Sequence, residues 1–329
     1  MHRSLALLAG CLVPLSVATP LEKRNDFAAP PGGDVDILNY ALTLEYLERK
    51  FYQEGLQNYT ENDFTAAGFT QDFYTNLQKV YSDEMTHVTF LSADLGAKAV
   101  AEPTFAFPVK DARSFVSLAS VLEGVGVSAY LGAASSIANK DYLTAAASIL
   151  AVEARHASYL RAALGEKPFP GPFDTPLDFD QVYSMAAQFI TGVAPGTKLP
   201  FIAFPPLTAA PANGGFCAGQ TTLTFTGAQA QALKSGKVTQ DTKVYAVFYS
   251  GLQAFYVPVR EFRRVGIRTQ VPANRSIVDC EDPRRQLCHG GQPAPAGQTY
   301  VTLNTADGKS AKASDENTIA GVALLEVSC

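Results

Sequence analysis

Two short motifs limit this chain more than any other feature. Glu84-Met85-Thr86-His87 and Glu153-Ala154-Arg155-His156 each hold a carboxylate and an imidazole three residues apart. Each lies inside a long segment whose apolar residues recur in threes and fours, the period of an amphipathic helix. Positions i and i+3 share a helical face, so each pair presents one carboxylate and one imidazole together. The chain has only 4 His, so two of them at this spacing constrain the fold strongly. A single Glu-x-x-His would be weak, because it arises by chance on many helices.

The spacing predicts four long helices. The first runs from Asp34 to about Leu56 and carries Ile37, Leu38, Ala41, Leu42, Leu44, Phe51 and Tyr52 on its apolar side. The second starts at a Thr70 cap and runs to about Ala97. The third runs from Asp111 to about Ala138. The fourth follows Asn139-Lys140 and ends at Gly165. A shorter fifth helix is expected over Gln181–Thr191. Long helices with modest connections suggest a four-helix bundle, with the third and fourth as an antiparallel hairpin.

The two helices without a Glu-x-x-His bring carboxylates of their own. The first carries Glu45 and Glu48. The third carries Glu123 amid Val121, Leu122, Gly124, Val125 and Val127, where burial is costly without a partner. One Glu from each of two helices, plus one Glu-x-x-His from each of the other two, is the ligand set of ferritin-like di-metal proteins. The expected metal ligands are Glu45, Glu84, His87, Glu123, Glu153 and His156, holding two divalent ions, Fe or Mn. Four carboxylates offset two divalent cations and can bridge them, and two neutral imidazoles complete the set.

Leu44-Glu45 is followed by Tyr52 just as Leu122-Glu123 is followed by Tyr130. That matching Leu-Glu-x6-Tyr pattern suggests an internal two-fold relation and favours Glu45 over Glu48 as the helix-one ligand. Glu48 is left as an extra ligand or a base. Glu48, Tyr52 and Tyr130 are the candidate catalytic groups, with proton transfer for Glu48 or a tyrosine, and hydrogen bonds to the ligands or electron relay for the tyrosines. Core aromatics with satisfied hydroxyls are an equal alternative for the tyrosines.

Composition shifts near residues 195–206. Residues 1–199 carry 14 basic and 22 acidic side chains, and residues 200–329 carry 12 and 9. Period-two alternation follows, as in Thr221–Thr226, Lys243–Tyr249, Leu252–Val259, Thr299–Leu303 and Ile319–Val327. The expected fold is α+β: a bundle over residues 25–197, then a disulfide-stapled, β-sandwich-like domain over 198–329.

Residues 1–24 read as a signal peptide and short propeptide. A basic start precedes an apolar run from Leu5 to Val17, a small-residue site at Ser16-Val17-Ala18 and a dibasic Lys23-Arg24. Loss of the leader removes Cys11 and His2 and leaves Cys217, Cys280, Cys288 and Cys329, an even set that implies two disulfides of unassigned pairing. Asn58-Tyr59-Thr60 and Asn274-Arg275-Ser276 are N-glycosylation sequons. His289 reads as a surface residue. The product is expected outside the cell or in the cell wall, with no further apolar run long enough to cross a bilayer. A net charge of −5 argues against a nucleic-acid partner.

The stretch DVDILNYALTLEYLERKFYQEGL, with Glu84-x-x-His87, Glu123 and Glu153-x-x-His156, resembles the ferritin-like domain of fungal secreted proteins described as stress-response or sexual-development proteins. Plant desiccation-related proteins are similar. The resemblance spans roughly residues 30–195 and implies a metal-binding bundle with a link to stress or development. The expected function is oxidative or stress-related chemistry on peroxide, other small oxygen species or metal ions. If the protein is an enzyme, it is a di-iron or di-manganese oxidoreductase. The alternative is a non-catalytic extracellular stress, developmental or cell-wall protein whose β-domain binds a wall polymer or another protein.

Overall fold

Helix ends in the first half are fixed by local capping. Thr70 accepts a hydrogen bond from the Phe73 N–H at 3.1 Å, and Asn139 accepts one from the Asp141 N–H at 2.8 Å. Gly165 closes its helix in the left-handed region at φ 79°, which a residue with a Cβ would resist. The helices are α1 (Asp34–Asn58), the short α2 (Glu61–Ala66), α3 (Gln71–Leu95), α4 (Ala112–Ala133), α5 (Lys140–Leu164) and α6 (Phe179–Ala186). A two-stranded ribbon, β1 (Thr104–Phe105) with β2 (Ile190–Gly192), ties the α3–α4 connection to the chain after α6.

The structure, a computed structural model, describes residues 27–197, 199–211, 216–226, 228–234, 236–239, 241–259, 267–270 and 294–328. The leader, the sequon at Asn274, Cys280, Cys288, His289 and Cys329 lie outside these residues.

α1 is flanked by α3 and α4, and α4 packs along α5. Being covered on several sides, α1 buries much of its surface, including Ile37, Leu42, Leu47, Phe51 and Tyr52. The carboxylate of Asp34 accepts hydrogen bonds from the Ala138 and Asn139 N–H groups at 2.8 Å each, pinning the α4–α5 connection to the start of α1. The helical hairpin is therefore not a two-residue link. α4 stops at Ala133, and a 3-10 turn over Ala134–Ser136 precedes the α5 cap. One expectation is corrected here: Ala112–Ser136 is long and apolar enough to cross a membrane by length and composition. It is mostly buried as the core helix of the bundle.

The second half is strand-rich. β3 (Thr208–Pro211), β4 (Thr222–Thr226) and, after α7 (Ala228–Lys234), β7 (Ile267–Gln270) form a sheet in the order β3-β4-β7. β5 (Tyr245–Ser250), β6 (Gln253–Pro258), β8 (Gly297–Asn304) and β9 (Thr318–Val327) form a second in the order β6-β5-β8-β9, all neighbours antiparallel. Period-two alternation sorts the larger sheet's side chains. Ala246, Phe248, Val301 and Leu303 join Leu223 and Phe225 in one core, while Val247, Tyr249, Tyr300 and Val322 join the core of the helices.

The sheet is thus seated directly on the bundle. Tyr300 Oη donates to the Gly124 carbonyl at 2.9 Å, and Gln298 Nε2 donates to the Val121 carbonyl at 3.1 Å. Arg161 on α5 makes a two-pronged ion pair with Glu326 on β9, both contacts at 2.7 Å. Close approach needs small residues: a Cβ at Gly124 would lie 2.2 Å from Gln298 Oε1.

Candidate metal centre

α1 supplies Glu45, Glu48 and Tyr52; α3 supplies Glu84 and His87; α4 supplies Glu123 and Tyr130; α5 supplies Glu153 and His156. Every one of these side chains is buried, and Glu45, Glu84, Glu123 and Glu153 are wholly so. Apolar periodicity explains how carboxylates come to be there. They sit on the same faces as the leucines and valines that drive the bundle together, so packing the core carries them inside.

Two groups of four residues could each hold an ion, with ligand atoms within 4.8 Å of one another. Glu45, Glu84, His87 and Glu153 form the first; Glu84, Glu123, Glu153 and His156 form the second. Glu84 and Glu153 belong to both. His87 Nδ1 lies 3.2 Å from Glu45 Oε2, 3.1 Å from Glu84 Oε2 and 3.3 Å from Glu153 Oε1. His156 Nδ1 lies 3.2 Å from Glu84 Oε1, 3.2 Å from Glu123 Oε2 and 3.9 Å from Glu153 Oε2. The two halves mirror each other.

The tyrosines complete that symmetry. Tyr52 on α1 donates to Glu123 Oε1 on α4 at 2.5 Å, and Tyr130 on α4 donates to Glu45 Oε1 on α1 at 2.5 Å. Each tyrosine serves the carboxylate of the other helix. Phe51 and Phe115, stacked at 4.5 Å, wall the Tyr52 side.

Burial pushes the Glu45 carboxyl up, and despite hydrogen bonds from His87 and Tyr130 it reaches about 7. Burial acts upward on Glu84 as well, but hydrogen bonds and charge from His156 and His87 bring it down to about 2. Burial pulls His87 and His156 down, yet their carboxylate partners outweigh it and push each up to about 10. Glu48 and Glu153 are raised by burial and then by neighbouring carboxylates. Tyr52 and Tyr130 are raised by burial and by the carboxylates they bond, which keeps them neutral hydrogen-bond donors.

Hydrogen bonding leaves a remainder. Glu84 Oε1 and both Glu153 oxygens are buried without a well-directed hydrogen bond, and only the imidazole Nδ1 atoms approach them, at 3.2, 3.3 and 3.9 Å. They belong to the two carboxylates shared by both groups. Buried carboxylate oxygens so poorly supplied with donors are costly, and a cation could occupy the space between them. The donor set of carboxylate oxygen and imidazole nitrogen fits divalent metal ions.

Glu48 lies in the same buried pocket but in neither group of four. Asp83, not singled out in the sequence, has Oδ2 3.6 Å from His156 Nε2. Its only sequence signal is its place before Glu84, since the approach to α5 is made by tertiary packing.

Residues 33–166 match the ferritin-like domain family. A segment of 178 residues is 28% identical to Protein rds1 of Schizosaccharomyces pombe, over 53% of this chain and 44% of that protein. The chain therefore matches less than half the length of that relative.

Proposed function

From a chain whose residues 33–166 form a ferritin-like domain, we propose a protein that binds two divalent ions, iron or manganese, and acts on oxygen species or on metal ions. The convergence of Glu84 and Glu153, the buried carboxylates common to both groups and poorly supplied with hydrogen-bond donors, carries the reading. Glu45 and His87 would hold one ion, Glu123 and His156 the other, and Glu84 and Glu153 would serve both. Redox-active ions bound there would exchange electrons with an oxygen species, the ions being oxidised as the oxygen species is reduced.

The chain's own groups prepare the site. The Tyr52 and Tyr130 hydroxyls fix one oxygen each of Glu123 and Glu45, so the second oxygen would be left to hold an ion. These hydroxyls are the groups placed to hand on protons. The aromatic wall of Phe51 and Phe115 keeps water out, which strengthens every charge interaction inside.

The same reading places the protein outside the cell. Its support is the leader-like residues 1–24, the exposed Asn58 sequon at the end of α1 and the even set of cysteines, Cys217, Cys280, Cys288 and Cys329, that follows the leader. A second reading, a non-catalytic wall or developmental protein, draws on the exposed Phe169 and Phe173 in the proline-rich stretch after α5. Such aromatics could meet a wall polymer or another protein.

Metal analysis of the purified protein tests the proposal. Two Fe or Mn per chain, lost in Glu123→Ala and His156→Ala, are expected. A protein that takes up no metal, with variants behaving as wild type, would sink it and favour the second reading. Peroxide and Fe(II) oxidation assays then separate the reactions.

A further inference from the structure

The two-fold relation between α1 and α4 breaks at one position. Glu45 corresponds to Glu123 and Tyr52 to Tyr130, with both carboxylates and both hydroxyls in matching roles. In the same register, Glu48 corresponds to Gly126. The exchange is complementary in space. A Cβ at Gly126 would lie 2.9 Å from Glu48 Oε1 and 3.5 Å from Glu153 Oε2. The missing side chain on α4 is therefore the gap beside which the extra carboxylate of α1 sits. The oxygen of Glu153 facing the same gap is one of those without a hydrogen bond.

Two buried carboxylates converging on one gap repel each other unless a cation lies between or beside them. Among the described residues no Lys or Arg pairs with Glu45, Glu48, Glu84, Glu123 or Glu153. The two imidazoles are the compensating groups at hand, and Glu48 makes no ion pair with either.

We propose that Glu48 is a seventh protein ligand, taking on the α1 side a place at the metal pair that Gly126 leaves open on the α4 side. The centre is then asymmetric, with five carboxylates and two imidazoles, and its two ions differ in surroundings. The inference rests on the di-metal reading above and deepens it.

Glu48→Gln keeps the shape and removes the charge. Gly126→Ala keeps every carboxylate and obstructs the gap. Full-length protein stripped with chelator would be titrated with Mn(II) by calorimetry, and the melting temperature of each metal-free form recorded. For Glu48→Gln the expected result is one of two Mn(II) ions bound at least roughly tenfold more weakly, with the metal-free form melting no lower than wild type. Gly126→Ala is expected to weaken the same ion. Wild-type affinity for both ions in Glu48→Gln overturns this inference and leaves the di-metal reading standing. A wild-type protein that takes up no Mn(II) or Fe(II) overturns both.

Discussion

The hydroxyl of Tyr52 on α1 donates to Glu123 Oε1 on α4 at 2.5 Å, and the pair joins the two helices that carry no Glu-x-x-His. Tyr130 and Glu45 repeat the bond in the opposite direction. Both hydroxyls are buried, so Tyr52→Phe leaves a carboxylate oxygen without its donor. Such a loss costs about 1–3 kcal/mol. Denaturant unfolding of the chelator-treated protein should show a loss of that size for Tyr52→Phe, and a similar loss for Tyr130→Phe. Wild-type stability in both variants would mean that the hydroxyls hold nothing in place.

The link between bundle and sheet includes a half-buried ion pair. Arg161 is buried, and its guanidinium bonds Glu326 twice at 2.7 Å while its Nε donates to the Lys167 carbonyl at 2.8 Å. Glu326 is partly exposed, so water takes up part of what a break would cost. Arg161→Ala is expected to lose about 1–3 kcal/mol. Chemical denaturation should show a lower midpoint, and an unchanged one would argue that the sheet is held by its apolar face alone.

The long helices were readable because their signals are local: apolar period, the Thr70 and Asn139 caps, and Gly165 at the end of α5. The paired Glu-x-x-His motifs and the Leu-Glu-x6-Tyr repeat were readable for the same reason, and the repeat's two-fold sense reappears in the crossed tyrosine bonds. What escaped depends on distant partners. α4 stops short of the expected Ala138, and Asp34, far away in sequence, accepts from the N–H groups of Ala138 and Asn139. The fit of Glu48 against Gly126 and the approach of Asp83 to His156 exist only once helices pack. The short α2 and the two-residue β1 carry too little pattern to register. A boundary near residue 197 was drawn from composition, which could not show that Tyr300 and Val322 join the core of the helices.

Metal-free protein should lose stability as pH rises. His87 and His156 are each held up to about 10 by carboxylate partners that outweigh burial, against 6.5 for the ordinary group. A raised folded pKa stabilises fully below about pH 6.5, and that contribution drains away as pH climbs toward 10. Glu45, raised by burial to about 7, acts in the same sense between 4.5 and 7. Glu84, brought down to about 2, loses its contribution only as pH falls from 4.5 toward 2. Ions need deprotonated ligands, so their binding strengthens over the interval in which the metal-free form weakens. The gap in melting temperature between metal-loaded and chelator-treated protein should widen from about pH 6.5 to 9. A gap independent of pH would contradict this.

Two glycines of α4 should respond very differently to alanine. In an exposed helix interior the change ordinarily gains up to about 1 kcal/mol. At Gly132 the new Cβ would lie 1.7 Å from the Leu177 carbonyl oxygen, and that backbone is itself anchored, its N–H donating to the Ser128 carbonyl at 3.1 Å. Neither side can yield cheaply, so Gly132→Ala should cost about 1–3 kcal/mol or more. At Gly124 the obstacle is the Gln298 amide, the far end of a flexible side chain, although moving it gives up the bond to the Val121 carbonyl. The helical gain offsets part of that loss, so Gly124→Ala should stay within about 1 kcal/mol of wild type. Denaturant titration of both variants gives the comparison. Equal losses would show that the sheet presses on α4 as rigidly as the Leu177 backbone does.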